Sequence, residues 1–268
     1  QTPKKWNKKM LNDPHLKVVY YEQYSAKVFP DTDIKGGVAI TYRDVDKDFG
    51  SIGTFTHYIE LNSILKKVLN KGFKSFNELL YGKSSYKFTF KVYEENPELE
   101  KRVSSNEKKS ISSNIFDKLP EIFFDEKQNN NQIQILGRKN GKRVLKWIDK
   151  DYVEDHPNLH KYKVILPATN GTGEFGETLS TPFVANPLMG YTQTFISFGS
   201  FDSKTEAENT LKYLKTKFLR AMLGTMKVTQ HNQTREVWKN VPMQDFTNKS
   251  DIDWSKSISE IDQQLYKK

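Results

Sequence analysis

Ser203-Lys-Thr-Glu-Ala-Glu-Asn-Thr-Leu-Lys-Tyr-Leu-Lys-Thr-Lys-Phe-Leu-Arg-Ala-Met222 reads as a helix from its first residue. The Ser203 hydroxyl can accept a bond from the exposed first-turn amides, and Glu206 can reach back to complete a capping box. Ala207, Leu211, Leu214, Phe218 and Met222 recur at three- and four-residue steps, which makes one face apolar and leaves Lys212, Lys215 and Lys217 outside. The preceding sequence has strand character instead. Tyr162–Leu166 and Tyr191–Phe198 are short apolar runs separated by a Gly- and Pro-rich loop, and each predicts a strand. Helix and strands together predict an α+β chain with a mixed sheet.

Working outward, Ile133–Leu136 and Val144–Ile148 flank Asn140-Gly141, and Asn-Gly supplies the positive φ angles of a tight type I′ turn. That hairpin carries Arg138, Lys139, Lys142 and Arg143. Between Tyr86 and Val92 alternate residues are apolar, which predicts a half-buried strand. The stretch from Pro97 to Ser113 is polar and is expected to be a loop or an exposed helix. Near the N-terminus, His15–Tyr24 and Gly36–Tyr42 read as neighbouring strands joined by a loop with Pro30 and Asp31. Phe49–Tyr58 is a candidate third strand, and Leu61–Leu69 has helical spacing. A domain boundary is expected near residue 60.

The 268 residues, 13% of them aromatic, are enough to bury a real core. With no apolar run long enough to span a bilayer and no signal pattern, no membrane partner is expected and a cytoplasmic location is. Cysteine is absent, which excludes disulfides, thiolate nucleophiles and Cys-ligated zinc. The sequence starts on Gln1 and stops on Lys268 within a helical pattern, so it is expected to be a piece of a longer polypeptide. The net charge is +9, and it is segregated. Lys127–Lys150 holds seven Lys/Arg against one Asp, and Lys204–Lys239 holds eight against three Glu, as a polyanion-binding face requires. Two solvated surfaces would give the same count.

Candidate chemistry is sparse. Gly171-Thr-Gly-Glu-Phe-Gly176 has dinucleotide-loop spacing, but Pro182 and Pro187 follow where a phosphate-binding helix must start, and Glu174 and Glu177 would repel a pyrophosphate. A structural glycine loop is the reading. Pro30-Asp31 with Asp33-Ile-Lys35 has the residue types of a Mg²⁺-dependent nuclease, yet here both halves fall on one loop. Glu107-Lys-Lys109 and Asp125-Glu-Lys127 share that weakness. His156 and His160 are four apart, with Pro157 between them arguing against a helix that would present both to one metal; no metal site is expected. The serine elbow and the phosphate loop are both missing. What remains is Lys227-Val-Thr-Gln-His-Asn-Gln-Thr-Arg235, whose Gln, Asn and Arg side chains can pair with adenine and guanine edges. An ordinary polar loop is the alternative.

Asp33-Ile-Lys-Gly-Gly-Val-Ala-Ile-Thr-Tyr-Arg43 resembles the end of the methyltransferase domain in bacterial type II restriction-modification enzymes that fuse nuclease, adenine-specific DNA methyltransferase and target-recognition domains. A longer resemblance, to the recognition domain of that family, runs through Ala168-Thr-Asn-Gly171, Gly173–Glu177, Tyr191–Phe198, Phe201–Asn209, Tyr213–Arg220, Lys227–Gln230 and Val241-Pro-Met-Gln-Asp-Phe246. Asp251-Ile-Asp-Trp-Ser-Lys-Ser257 through Tyr266 resembles its C-terminal end. The resemblance covers roughly half the chain. It departs from the family in lacking the Asn-Pro-Pro-Tyr clamp for a flipped adenine and the glycine loop for S-adenosylmethionine; Asn186-Pro-Leu is no substitute.

The resemblance implies that residues 1–60 are the last strands of a Rossmann-like methyltransferase domain, 61–247 a target-recognition domain, and 248–268 a helical tail. It implies sequence-specific binding of double-stranded DNA beside the remainder of the parent polypeptide. S-adenosylmethionine and Mg²⁺ would belong to that parent; no cofactor, metal or catalytic residue is expected in this piece. Phosphate contacts are assigned to Arg138, Lys139, Lys142, Arg143, Lys212 and Lys215, and base reading to Gln230, His231, Asn232, Gln233 and Arg235. The alternatives are a complete Mg²⁺-dependent nuclease with an unrecognised site, or a non-catalytic RNA- or protein-binding module.

Overall fold

A computed structural model describes residues 4–32, 34, 37–56, 58–171, 174–227 and 229–268. Within it the chain divides into two compact units, Gln1–Phe73 and Lys74–Lys268. No helix among the described residues is long and apolar enough to cross a membrane.

The first unit contains α1 (Lys4–Leu11), β1 (Leu16–Glu22), β2 (Val38–Arg43) and α2 (Ile59–Asn70). The Val-Val-Tyr-Tyr core of β1 suits extended backbone, and β1 pairs antiparallel with β2, Leu16 opposite Arg43 and Glu22 opposite Val38. The expected pair of strands therefore forms; Gly36, where the second was to begin, lies outside the described residues. The third strand, Phe49–Tyr58, does not form. Its described backbone is held irregularly, the Phe49 amide donating to Pro14 and the Gly53 amide to Leu11. Val19, Tyr20 and Ile40 remain 51, 48 and 52% exposed, because a two-stranded ribbon has too little surface to cover its own side chains. The division between the two compact units falls after α2. Asn62 on α2 exchanges two bonds with the Thr56 backbone, at 3.0 and 2.7 Å, so this helix belongs to the first unit.

The second unit has α+β character. Its strands are β3 (Leu80–Tyr81), β4 (Gln132–Lys139), β5 (Lys142–Asp149), β6 (Tyr162–Pro167), β7 (Phe183–Ala185), β8 (Met189–Tyr191) and β9 (Phe195–Phe201). Its helices are α3 (Lys91–Glu95), α4 (Ile115–Lys118), α5 (Lys204–Lys215), α6 (Lys217–Gly224) and α7 (Ile258–Lys267). One sheet is antiparallel in the order β3-β9-β6-β7; the other, β5-β4-β8, is mixed because β8 runs parallel to β4. The single strand expected over Tyr191–Phe198 is two strands. A turn at residues 192–194, in which the Thr194 amide donates to the Thr192 hydroxyl, moves the chain from one sheet to the other. The strand expected over Tyr86–Val92 does not form: Tyr86, Phe88 and Val92 are buried but Phe90 is 53% exposed, Lys87 and Phe88 make isolated bridges, and α3 begins at Lys91 and turns the chain out of extended conformation.

The long helix breaks at Thr216. Thr216 is extended, at ψ 151°, and its hydroxyl accepts from the Leu219 amide at 3.2 Å, while both carboxylate oxygens of Asp262 on α7 accept from the Lys217 and Phe218 amides at 2.9 Å. Three orphan amides of a new helix start are thereby satisfied. The residues 248–268 are thus no loose tail, since they supply the cap on which α6 depends. At Ser203 the hydroxyl caps the Thr205 amide, without the reciprocal bond from Glu206; the complete capping box is Ser257 with Glu260, on α7.

Lys163 and Lys227 are both buried, and of the two only Lys227 has a carboxylate partner among the described residues. Lys163 on β6 is fully buried and its ammonium donates to the Met189 carbonyl at 2.9 Å, so desolvation pushes its pKa down to about 7.

Two outcomes follow. Asp262→Ala leaves two α6 amides without acceptors, and urea unfolding should show a loss of roughly 1–3 kcal/mol. Between about pH 7 and 10.5 the unfolded chain holds a proton on Lys163 that the folded chain releases, so wild-type stability should rise across that window. The rise, on the order of several kcal/mol, should vanish in Lys163→Met; a rise of equal size in the variant would refute the assignment.

Candidate nucleic-acid interface

The β4–β5 hairpin is paired without interruption from Gln132 opposite Asp149 to Lys139 opposite Lys142. Asn140 and Gly141 close it with φ 52° and 73°, the pair of positive angles that a type I′ turn needs. This register sets Arg138 directly across from Arg143, and Lys139 across from Lys142. Directly opposed like charges destabilise a hairpin, each pair by a few tenths of a kcal/mol or more. Compensation within the protein is thin. Lys139 is 3.9 Å from Asp117, and among the described residues Arg138 and Lys142 have no carboxylate in ion-pair range.

Arg143 departs from the expected phosphate role. Its guanidinium donates to the carbonyls of Thr181 at 2.8 Å and Ser180 at 3.2 Å and lies over the Phe183 and Phe195 rings. Burial, and next the Arg138 charge, lower its pKa from the ordinary arginine value. Thr181 has φ 37°, a strained conformation for a β-branched residue, and that conformation accompanies its carbonyl's bond to Arg143. Arg143 is a brace for the hairpin.

Three of the eight cations of the second basic window, Lys212, Arg220 and Lys227, are engaged inside the fold. Lys212 donates to the Trp254 carbonyl, so it too is a structural contact and no free phosphate ligand. Arg220 donates to the Gly176 carbonyl at 3.0 Å and the Thr178 hydroxyl at 3.1 Å; Lys227 is buried against Glu177. Lys204 and Lys239 pair with Glu208 and Glu236 at 3.5 Å. Lys215 stays exposed.

The five residues assigned to base reading separate by burial. Gln230, His231 and Arg235 are exposed and Gln233 is half-buried. Asn232 is fully buried, which corrects its assignment: its side-chain Nδ2 donates to the Pro167 carbonyl at 3.3 Å, its backbone carbonyl accepts from the Trp238 indole at 2.7 Å, and its Oδ1 is buried with no hydrogen-bond partner among the described residues. A side chain enclosed in this way has no edge to offer a base. It is the peg that fixes the loop.

The structure ties hairpin and loop to one segment, residues 168–181. Asn170, 2% exposed, accepts from the Ser180 amide and donates to the Thr178 carbonyl at 3.0 Å, while its own amide donates to the Gln230 carbonyl at 2.7 Å. Thr169 bridges to His231 alongside. Arg143 thus grips from one side the same turn that Asn170 holds from the other. Asn170 was missed in sequence; its only local signal is the Asn170-Gly171 dipeptide of a turn.

The other sequence candidates disperse. No helix starts in the glycine loop, whose residues 172 and 173 lie outside the described set, as do Asp33, Lys35 and His57. Glu107 pairs with Lys118, Lys109 with Glu154 and Asp125 with Lys146. His160 bonds Asp155 at 2.7 Å, and His156 bonds Asn158 at 2.8 Å, with burial lowering its pKa. Among the described residues no group of three or more His, Asp or Glu converges as a metal would require.

No protein-family model matches this chain, and no curated protein does.

The two arginines of the hairpin should separate in a thermal or urea melt. Arg143→Met removes two charge-assisted bonds and should cost roughly 1–3 kcal/mol. Arg138→Met removes only a like-charge opposition and should leave stability unchanged or slightly higher. Equal effects would remove the distinction between brace and free cation.

Proposed function

We propose that this chain binds double-stranded DNA and reads its sequence, as the specificity portion of a type II restriction-modification enzyme with adenine-specific methyltransferase activity. The observation that carries the reading is the hairpin tip, where like charges are opposed in register and, among the described residues, three of the four cations, Arg138, Lys142 and Arg143, have no carboxylate counterion. A polyanion resolves that repulsion, and duplex DNA offers one negative charge per roughly 1.7 Å of its axis. Lys139 and Lys142, side by side on one face of the ribbon, would hold phosphates, which gives affinity without base identity. The order of the family-like segments supports assigning the partner as DNA. On the same reading the first unit is the end of a Rossmann-like methyltransferase domain. The rest of the parent polypeptide, with S-adenosylmethionine and Mg²⁺, supplies the chemistry, in the cytoplasm.

The test is anisotropy of labelled duplexes of about 20 base pairs over a range of salt. Contact with about six phosphates predicts a log-log slope near −5. Lys139→Gln with Lys142→Gln should weaken all duplexes alike and flatten the slope by about two units, one per lost contact. A slope near zero, or no response to the double substitution, would refute the proposal.

A further inference from the structure

We infer that the β4–β5 hairpin is the part of the chain that enters the DNA major groove, with Arg138 and Asn140 reading base edges. This rests on the DNA-binding reading above and relocates base recognition from the loop after α6 to the hairpin tip.

The first ground is shape. β8 pairs with β4 only through Gln134, Ile135 and Leu136, so beyond Leu136 the hairpin continues as a two-stranded ribbon whose root, Gly137 with Arg143 and Val144, packs on the fold and whose tip, Arg138–Lys142, projects from it. Paired strands lie about 4.8 Å apart, and with their side chains they match a groove about 12 Å wide, whereas the minor groove is only about 6 Å wide. Beyond Gly137, which packs on Phe116, the residues Arg138, Lys139 and Asn140 reach about 10 Å at roughly 3.4 Å per residue, comparable to the major-groove depth of about 8.5 Å.

The second ground is rigidity, which base reading needs because the side chains must arrive at a fixed place. Arg143 braces one face against the Ser180 and Thr181 carbonyls. Gly137 lies so close to the Phe116 ring that an added Cβ would come within 2.3 Å of it. The ribbon is therefore clamped at its root while its tip is exposed.

The third ground is chemistry. Asn140 carries the paired amide donor and acceptor that match adenine, and Arg138 carries the fork that matches guanine. Both are exposed at the tip, and Arg138 has no carboxylate partner among the described residues. The loop after α6 is poorer in this respect. Asn232 is enclosed, Gln233 is half-buried, and the backbone carbonyls of Gln230 and Arg235 are bonded to Asn170 and Asn77.

The experiment selects bound molecules from a random duplex library with the full chain, then with Asn140→Gly and Arg138→Lys. Asn140→Gly keeps the positive φ and removes the amide; Arg138→Lys keeps the charge and removes the fork. Wild type is expected to enrich a motif. Each variant should lose roughly 5- to 100-fold of the preference at one motif position, with affinity for scrambled duplex held within about threefold. Methylation of guanine N7 in the motif should block wild-type binding, whereas methylation of adenine N3, in the minor groove, should not. The same motif from wild type and both variants, or interference confined to adenine N3, overturns this inference and leaves DNA reading to another element. Binding with no enrichment overturns base reading altogether. No binding by wild type overturns the proposed function, and this inference with it.

Discussion

The arrangement of the candidate site depends on the Asn170 side chain. Between β6 and β7 the described residues Thr178 and Ser180 lie outside the ladder, and a buried polar side chain completes their backbone hydrogen bonds. Asn170 satisfies Thr178 and Ser180 with its amide and Gln230 with its backbone. The turn it shapes presents the two carbonyls that Arg143 grips. One enclosed amide thus couples the hairpin root to the loop that follows α6. The Thr169–His231 bridge and the bonds of Asn232 to Pro167 and Ala168 share that support.

The electrostatics divide along the same line. In most of the molecule a lysine or arginine has a local answer: Lys227 has Glu177, Arg220 has the Gly176 carbonyl, Lys212 has the Trp254 carbonyl. At the hairpin tip the register imposes the opposite, cation beside cation. The cost of such pairs is modest against the total stability of a domain, so a fold can carry them. On this one ribbon they are concentrated, whereas in the second basic window Lys204, Lys227 and Lys239 have carboxylate partners and Lys215, Lys217 and Arg235 stay exposed.

Packing accounts for the rest of the second unit. Phe76 stacks on Phe198 with ring centroids 4.6 Å apart, and Tyr213, Trp238 and Phe246 surround it, so strands and helices share one aromatic cluster. Asp262 then fixes where the helical segment turns, since its two oxygens reward a helix start at Lys217. Lys163 stands apart in this core, a lysine whose pKa burial lowers to about 7, with the Met189 carbonyl as its hydrogen-bond partner.

Local sequence determined a good deal. The Asn140-Gly141 turn, the β4–β5 register, the strand β6, the pair β1–β2 and the α+β class follow from φ preferences and apolar spacing, which act over a few residues. It could not show that the Ser203–Met222 stripe breaks at Thr216, because the reason lies on Asp262, some forty residues on. Nor could it show that Tyr191–Phe198 serves two sheets, or that Asn232 is a peg, since Asn has the same chemistry buried or exposed. Likewise, composition counted Arg143, Lys212 and Lys227 as available positive charge. Only tertiary structure, by bringing carbonyls and a carboxylate within reach of three of these cations and none within reach of Arg138 and Lys142, decided which charges are left to face a partner.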